Sequence, residues 1–241
     1  MTNLDYGAFD ALTFDCYGTL IDWETGLLAA IRSVVPVGGG GTIDGTTDEA
    51  LLEEYANAEA TMEAGPYLRY RTIVGDGIGA VAQAHGVDPS ADDVARLGGS
   101  VAEWPAYPDS HDALARLKTR FRLGVLTNCD DDLFAASNAR LGVEFDWIVT
   151  AQQVGSYKPD ERNFAALIER LGADGVPRER ILHVAQSLFH DHEPAQRLGF
   201  RSVWIDRRHD RAGAGATPLA NAQPDATFPS MAAFAAAAAP G

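Results

Sequence analysis

The chain has 241 residues and a formal net charge of −15, a balance that excludes binding nucleic acid through its phosphates, which needs clustered Lys and Arg. Its hydrophobic content of 46% is that of an ordinary globular protein, and its length suffices for one large domain or one domain carrying a smaller insertion. No secretion signal or bilayer-spanning run is read, and Cys16 and Cys129 lack a disulfide framework or metal spacing, so they read as reduced thiols of a cytoplasmic protein.

In chain order, residues 11–15 are a short apolar run closed by Asp15 and the turn residue Gly18, which reads as a buried strand. Residues 23–31 have helical spacing. Residues 37–44 carry four consecutive glycines and read as a loop. Thr47-Asp48-Glu49-Ala50 places a capping hydroxyl ahead of an apolar run through Leu51, Leu52 and Tyr55. Helical patterns also cover 67–86 and 91–100. With no strand pattern between, this stretch reads as an all-helical insertion.

Residues 104–109, with two prolines, mark a return point. Helices are then expected over 111–118, 133–141, 160–171 and 193–198. They alternate with strands over 121–127, 147–150, 181–185 and 202–205. This alternation predicts a parallel sheet with crossover helices. Gly142 and Gly199 fall where helix C-caps are expected. The Ala-rich residues 232–239 are expected to fray.

Four strand ends carry polar residues. The first offers Asp15, Tyr17 and Thr19, and the second Thr127 and Asn128. A third region offers Lys158, and a fourth Gln186, Ser187 and Asp191. A parallel sheet brings such ends to one rim, where ligands bind. Each has a bland reading as a turn, cap or surface residue. Four such coincidences in order along the chain argue against it.

On Asp15-Cys16-Tyr17-Gly18-Thr19, Thr127-Asn128, Lys158-Pro159-Asp160 and the acidic loop end at Asp191, the chain resembles the haloacid dehalogenase superfamily across residues 8–208. The resemblance implies an α/β fold with a Rossmann-like parallel sheet core, helices on both faces and an inserted all-helical cap. Residues 1–20 and 105–241 would form the core and 21–104 the cap. It also implies that Asp15 attacks the substrate to form an ester and that Lys158 keeps Asp15 ionised. Thr19 and Thr127 would orient the carboxylate, and Asp191 would activate water.

Tyr17 stands where the family's phosphatases have a second aspartate as general acid, and a phenol with a pKa near 10 does not readily replace it. The chain is thereby similar to the type II (S)-2-haloacid dehalogenases, whose halide leaves without a proton. Gln186 replaces an acid of the Mg²⁺-binding loop. An amide oxygen can still ligate, but Mg²⁺ prefers carboxylates, and no cofactor is expected.

Asn128 matches a halide-contacting position in that family, and Trp23 is placed at the pocket. The arginine that such dehalogenases carry early in the second cap helix is absent from residues 51–58. Arg69 and Arg71 are the candidates to replace it, with a solvated helix face as the alternative. His183, His190 and His192 invite a metal reading, but His190 and His192 flank Asp191 without helix-face ligand spacing, and the histidines read as residues near the site rather than metal ligands. Their switch near pH 6.5 could modulate Asp191.

The expected activity is hydrolysis of a small 2-halocarboxylate through an aspartyl ester. A Mg²⁺-dependent phosphatase and a non-catalytic member remain as alternatives. The expected partner is the small carboxylate substrate, without nucleic acid or membrane. Similar proteins often dimerise, but no feature of the chain demands a homodimer.

Overall fold

The structure is a computed structural model that describes residues 4–35, 46–210 and 220–240. The glycine loop expected at 37–44 lies outside the described residues. The strands are β1 (Ala11–Phe14), β2 (Arg122–Thr127), β3 (Trp147–Thr150), β4 (Ile181–Ala185), β5 (Arg201–Ile205) and β6 (Ala226–Phe228). They form one parallel sheet in the order β3-β2-β1-β4-β5-β6. The chain leaves β1 for β2 on one side and later returns to its other side with β4. The crevice at this reversal is where an open α/β sheet binds ligands.

Between β1 and β2 lie α1 (Trp23–Arg32), α2 (Asp48–Glu63), α3 (Tyr70–Ala84), α4 (Ala91–Gly99) and α5 (Ser110–Lys118). The first four form a helical layer above the rim, which we call the roof. The remaining helices are α6 (Asp131–Leu141), α7 (Ala151–Val154), α8 (Glu161–Ala173), α9 (Glu193–Arg197) and α10 (Met231–Ala238). Thr47 caps α2, its hydroxyl accepting from the Ala50 N–H. Gly142 ends α6 in the left-handed region at φ 63°, which glycine adopts without a Cβ penalty.

Strand alternation gives the sheet two apolar faces. Leu12 and Phe14 point to one, with Leu114 and Leu117 of α5, Phe134 of α6 and Phe234 of α10. Ala11, Leu126 and Val149 belong to the other, with Phe164, Leu167 and Leu171 of α8. The expected Rossmann-like core with helices on both faces is thus present. The first cluster continues into the roof through Leu51, Leu52, Tyr55 and Ile73.

The tail differs from expectation. Residues 231–238 are helical rather than frayed, with Met231, Phe234, Ala235 and Ala238 buried. Arg116 Nε and Arg120 Nη1 donate to the carbonyls of Ala239 and Ala238, satisfying orphan groups at the helix end. Alanine has the best helix propensity, and two aromatic contacts of Phe234, with Tyr6 and Phe228, fix the segment in place.

Candidate active site

Asp15 follows β1 directly, and its N–H bonds the Val184 carbonyl of β4. The chain then turns sharply, with the N–H groups of Leu20 and Ile21 both on the Cys16 carbonyl. Gly18 sits in this turn at φ 92°, and a Cβ there would stand 3.1 Å from Trp23 Nε1. The turn brings Thr19 back onto the strand end. Its hydroxyl donates to Asp15 Oδ2 at 2.7 Å and accepts from the Gln186 N–H at 2.9 Å.

Lys158 is 2% exposed and spends all three ammonium protons. It bonds Asp15 Oδ1 at 2.9 Å, Asp191 Oδ1 at 2.7 Å and the Leu126 carbonyl at 2.9 Å. Asn128 clamps its backbone, accepting from Lys158 N–H and donating to Lys158 O. Burial alone would lower the lysine pKa, but Asp15 and Asp191 overcome it and hold the ammonium. Burial pushes the Asp15 carboxyl up, with Lys158 and Thr19 pulling against it. Burial acts on Asp191 in the same sense, yet Lys158 and His183 hold that carboxyl well below the ordinary range.

His183 Nε2 lies 2.9 Å from Asp191 Oδ1, and its Nδ1 lies 3.0 Å from Thr13 Oγ1. Thr13 and His183 are register partners on β1 and β4. A polar line therefore runs Thr13–His183–Asp191–Lys158–Asp15–Thr19. Asp191 itself sits in a π-helical turn, Leu188–His192, capped by Ser187. Its Oδ2 is buried with no hydrogen-bond partner among the described residues.

These groups border a cavity of about 80 Å³ between rim and roof. Tyr17, Trp23, Asn128, Gln186 and Ser187 line it as expected for a pocket, and Glu59, Glu63 and Tyr70 close it from the roof. The Tyr17 hydroxyl is turned aside, 3.0 Å from Ser137 Oγ and accepting from the Cys129 thiol. Burial pushes this phenol well above its usual pKa.

Three expectations differ. Arg69 and Arg71 do not line the cavity; Arg69 Nε donates to Asp130 at 3.0 Å and Arg71 pairs with Asp132. Asp130 also accepts from the N–H groups of Tyr70 and Arg71, so both arginines belong to a tie between α3 and the sheet. Thr127 does not reach Asp15, its hydroxyl being buried without a partner. His190 and His192 do not switch near pH 6.5, since burial pushes both down to about 4.

Glu59, Glu63 and Tyr70 escaped the sequence reading, and His183 entered it only as one of three histidines near the site, without its partner Asp191. His183 left one signal, a lone titratable side chain inside the apolar strand Ile-Leu-His-Val-Ala. Such a group needs a buried partner. The glutamates left none, since acidic residues on a helix ordinarily face solvent.

A family model for haloacid dehalogenase-like hydrolases matches residues 9–199. The chain belongs to that family. Among curated proteins it is 28% identical over 202 residues to an (S)-2-haloacid dehalogenase of Pseudomonas putida, covering 82% of this chain and 85% of that one. A second (S)-2-haloacid dehalogenase, of Pseudomonas fluorescens, is also 28% identical, over 200 residues, covering 81% and 84%. The fold matches the L-2-haloacid dehalogenase of Xanthobacter autotrophicus with a TM-score of 0.74 at 20% identity, covering 94% and 97% of the two chains. That enzyme has also been solved with chloropropionic acid covalently bound.

Proposed function

We propose that the chain hydrolyses a small 2-halocarboxylate, displacing halide through an ester on Asp15, with residues 21–104 acting as a cap over the site. The observation that carries this reading is the Asp15–Lys158–Asp191 bridge beside a Tyr17 hydroxyl committed elsewhere. Asp15 is held ionised and aimed by Lys158 and Thr19, which prepares a carboxylate to attack. Tyr17 supplies no proton to an oxygen leaving group, and a halide requires none.

The steps follow from the geometry. An Asp15 carboxylate oxygen bonds to C2 as the carbon–halogen bond breaks, and halide leaves with the electron pair. Water then adds at the Asp15 carboxyl carbon, releasing the 2-hydroxy acid and restoring Asp15. Asp191 Oδ2 is the acceptor available to that water, while Lys158 and His183 fix Oδ1. Ser187, Asn128 and Gln186 line the cavity that would receive the substrate.

The donor set does not suit a hard divalent ion. One ammonium already bridges both carboxylates and Gln186 supplies an amide. No group of three His, Cys, Asp or Glu side chains among the described residues is arranged as ligands. Turnover is therefore expected to survive EDTA, whereas a Mg²⁺-dependent phosphatase would lose it.

A single turnover of 2-chloropropionate in oxygen-18 water tests the ester. The label is expected in Asp15 and absent from the first product formed. Label in that first product would reject the covalent route.

A further inference from the structure

Two glutamates stand on the roof, over a nucleophile that needs its leaving group stabilised. Displacement at carbon is in line, so the halide departs away from Asp15. Asp15 stands at the end of β1, and the halide therefore leaves toward the helices above. The polar groups those helices bring to the cavity opposite the rim are Glu59, Glu63 and Tyr70. Two other donors on the wall are placed elsewhere. Trp23 Nε1 lies against Gly18 on the nucleophile's own turn, and Asn128 Nδ2 is spent on Lys158 O.

Two ionised carboxylates would oppose a departing anion. Glu59 and Glu63 are one helical turn apart on α2, so they also repel each other. Asp15 and Asp191 line the same cavity, and Lys158 is already saturated by them. Four carboxylates facing one committed ammonium do not all ionise.

The hydrogen bonds show which oxygen of Glu59 accepts. Tyr55 and Tyr70 both donate to Glu59 Oε1, at 3.1 and 3.2 Å. Both bonds favour the ionised carboxylate, and in the acid form Oε2 is the oxygen left to carry the hydrogen. Burial pushes the Glu59 carboxyl up to about 7 against the pull of those two hydrogen bonds, and burial and the Glu59 charge push Glu63 up from the ordinary carboxylate range.

We propose that Glu59, coupled to Glu63, works as a carboxylic acid whose O–H hydrogen-bonds the departing halide, a neutral donor in place of a cation. This rests on the dehalogenase reading above. No proton is transferred to the halide, which leaves as an anion. The overall balance is haloacid plus water giving hydroxy acid, proton and halide. The titratable groups around Glu59 are Tyr55 and Glu63 on its own helix, Tyr70 from α3, Asp15, Tyr17, Lys158, His190 and Asp191 from the sheet side, and Tyr67, Tyr157, Asp160 and Arg162 around a second cavity that both glutamates also line.

The test is the pH profile of kcat/KM for 2-chloropropionate between about pH 5.5 and 9. The wild type is expected to fall about tenfold per pH unit above roughly pH 7. Glu59→Gln keeps an N–H donor but does not ionise, so its profile loses that limb. Glu59→Ala should slow chloride departure more than bromide departure. Should Glu59→Gln not fold, Glu63→Gln replaces it, moving the limb to lower pH by removing a neighbouring charge. A flat wild-type profile, or a limb unchanged by these variants, overturns the proposal.

Bromide binding, followed by tryptophan fluorescence, reads the roof without turnover. Affinity that drops about tenfold between roughly pH 6 and 8 supports the acid pair. Bromide that does not bind, or binds independently of pH, overturns it. Loss of all haloacid turnover with this bromide response intact would sink the dehalogenase reading alone.

Discussion

Lys158 is the residue on which the site's electrostatics balance. Its removal leaves Asp15 and Asp191 as buried carboxylates with no cation between them. Lys158→Met is expected to cost about 3–5 kcal/mol of stability, as breaking buried pairs does. Turnover should fall at least about 100-fold, because Asp15, the proposed nucleophile, then loses both charge and aim. Urea unfolding and initial rates check the two separately.

His190 and His192 set a pH limit on the fold. Both are held near 4 by burial, against an unfolded value of 6.5. Below that unfolded value the unfolded chain takes up protons the folded chain refuses, so stability falls as pH drops from about 6.5 to 4. His192 faces Ser202 Oγ and the Ala185 carbonyl. His192→Gln should flatten part of this fall, measured as the urea midpoint across that range.

At the scale of elements, α10 shows how composition misleads. Its Ala-rich sequence looks unconstrained, yet Phe234 is fully buried against Tyr6 and Phe228. Phe234→Ala is expected to destabilise by about 3–5 kcal/mol, the cost of a large core truncation. A value under about 1 kcal/mol would mean that the helix is only loosely docked. Thermal unfolding of the full chain distinguishes the two. The strands behave oppositely: β1 is short and apolar, and its position is pinned by parallel partners on both sides.

Across the whole molecule, two of the polar ties between roof and sheet involve charged groups next to strand ends. Asp130, just after β2, is fully buried and caps the start of α3 through the N–H groups of Tyr70 and Arg71. Arg208, just after β5, pairs with Glu24 of α1 and Glu49 of α2. The ties hold the glutamates of α2 and the Tyr70 hydroxyl over Asp15. Asp130→Asn puts an amide donor against an N–H donor and should cost about 1–3 kcal/mol. It should raise KM more than it lowers kcat and speed hydrogen exchange in the first turn of α3. Unchanged exchange there would mean that the tie does not hold the helix.

Much of this was legible in the chain itself. Hydrophobic period and glycine placement located five strands and the helices between them, because local pattern and backbone chemistry act over a few residues. They missed β6, whose three residues depend on pairing with β5. The order Asp15, Lys158, Asp191 pointed to a rim where these side chains meet, since a parallel sheet collects strand ends in one place. What the roof offers that rim was hidden. Arg69 and Arg71 carry the right charge, but the buried Asp130 and its neighbour Asp132 claim them. Glu59 and Glu63 carry the opposite charge and face the cavity, because the packing of α2 on α3 turns them inward. Which charged side chain meets solvent and which meets the cavity is decided by contacts between distant segments, and one-dimensional spacing holds no record of those.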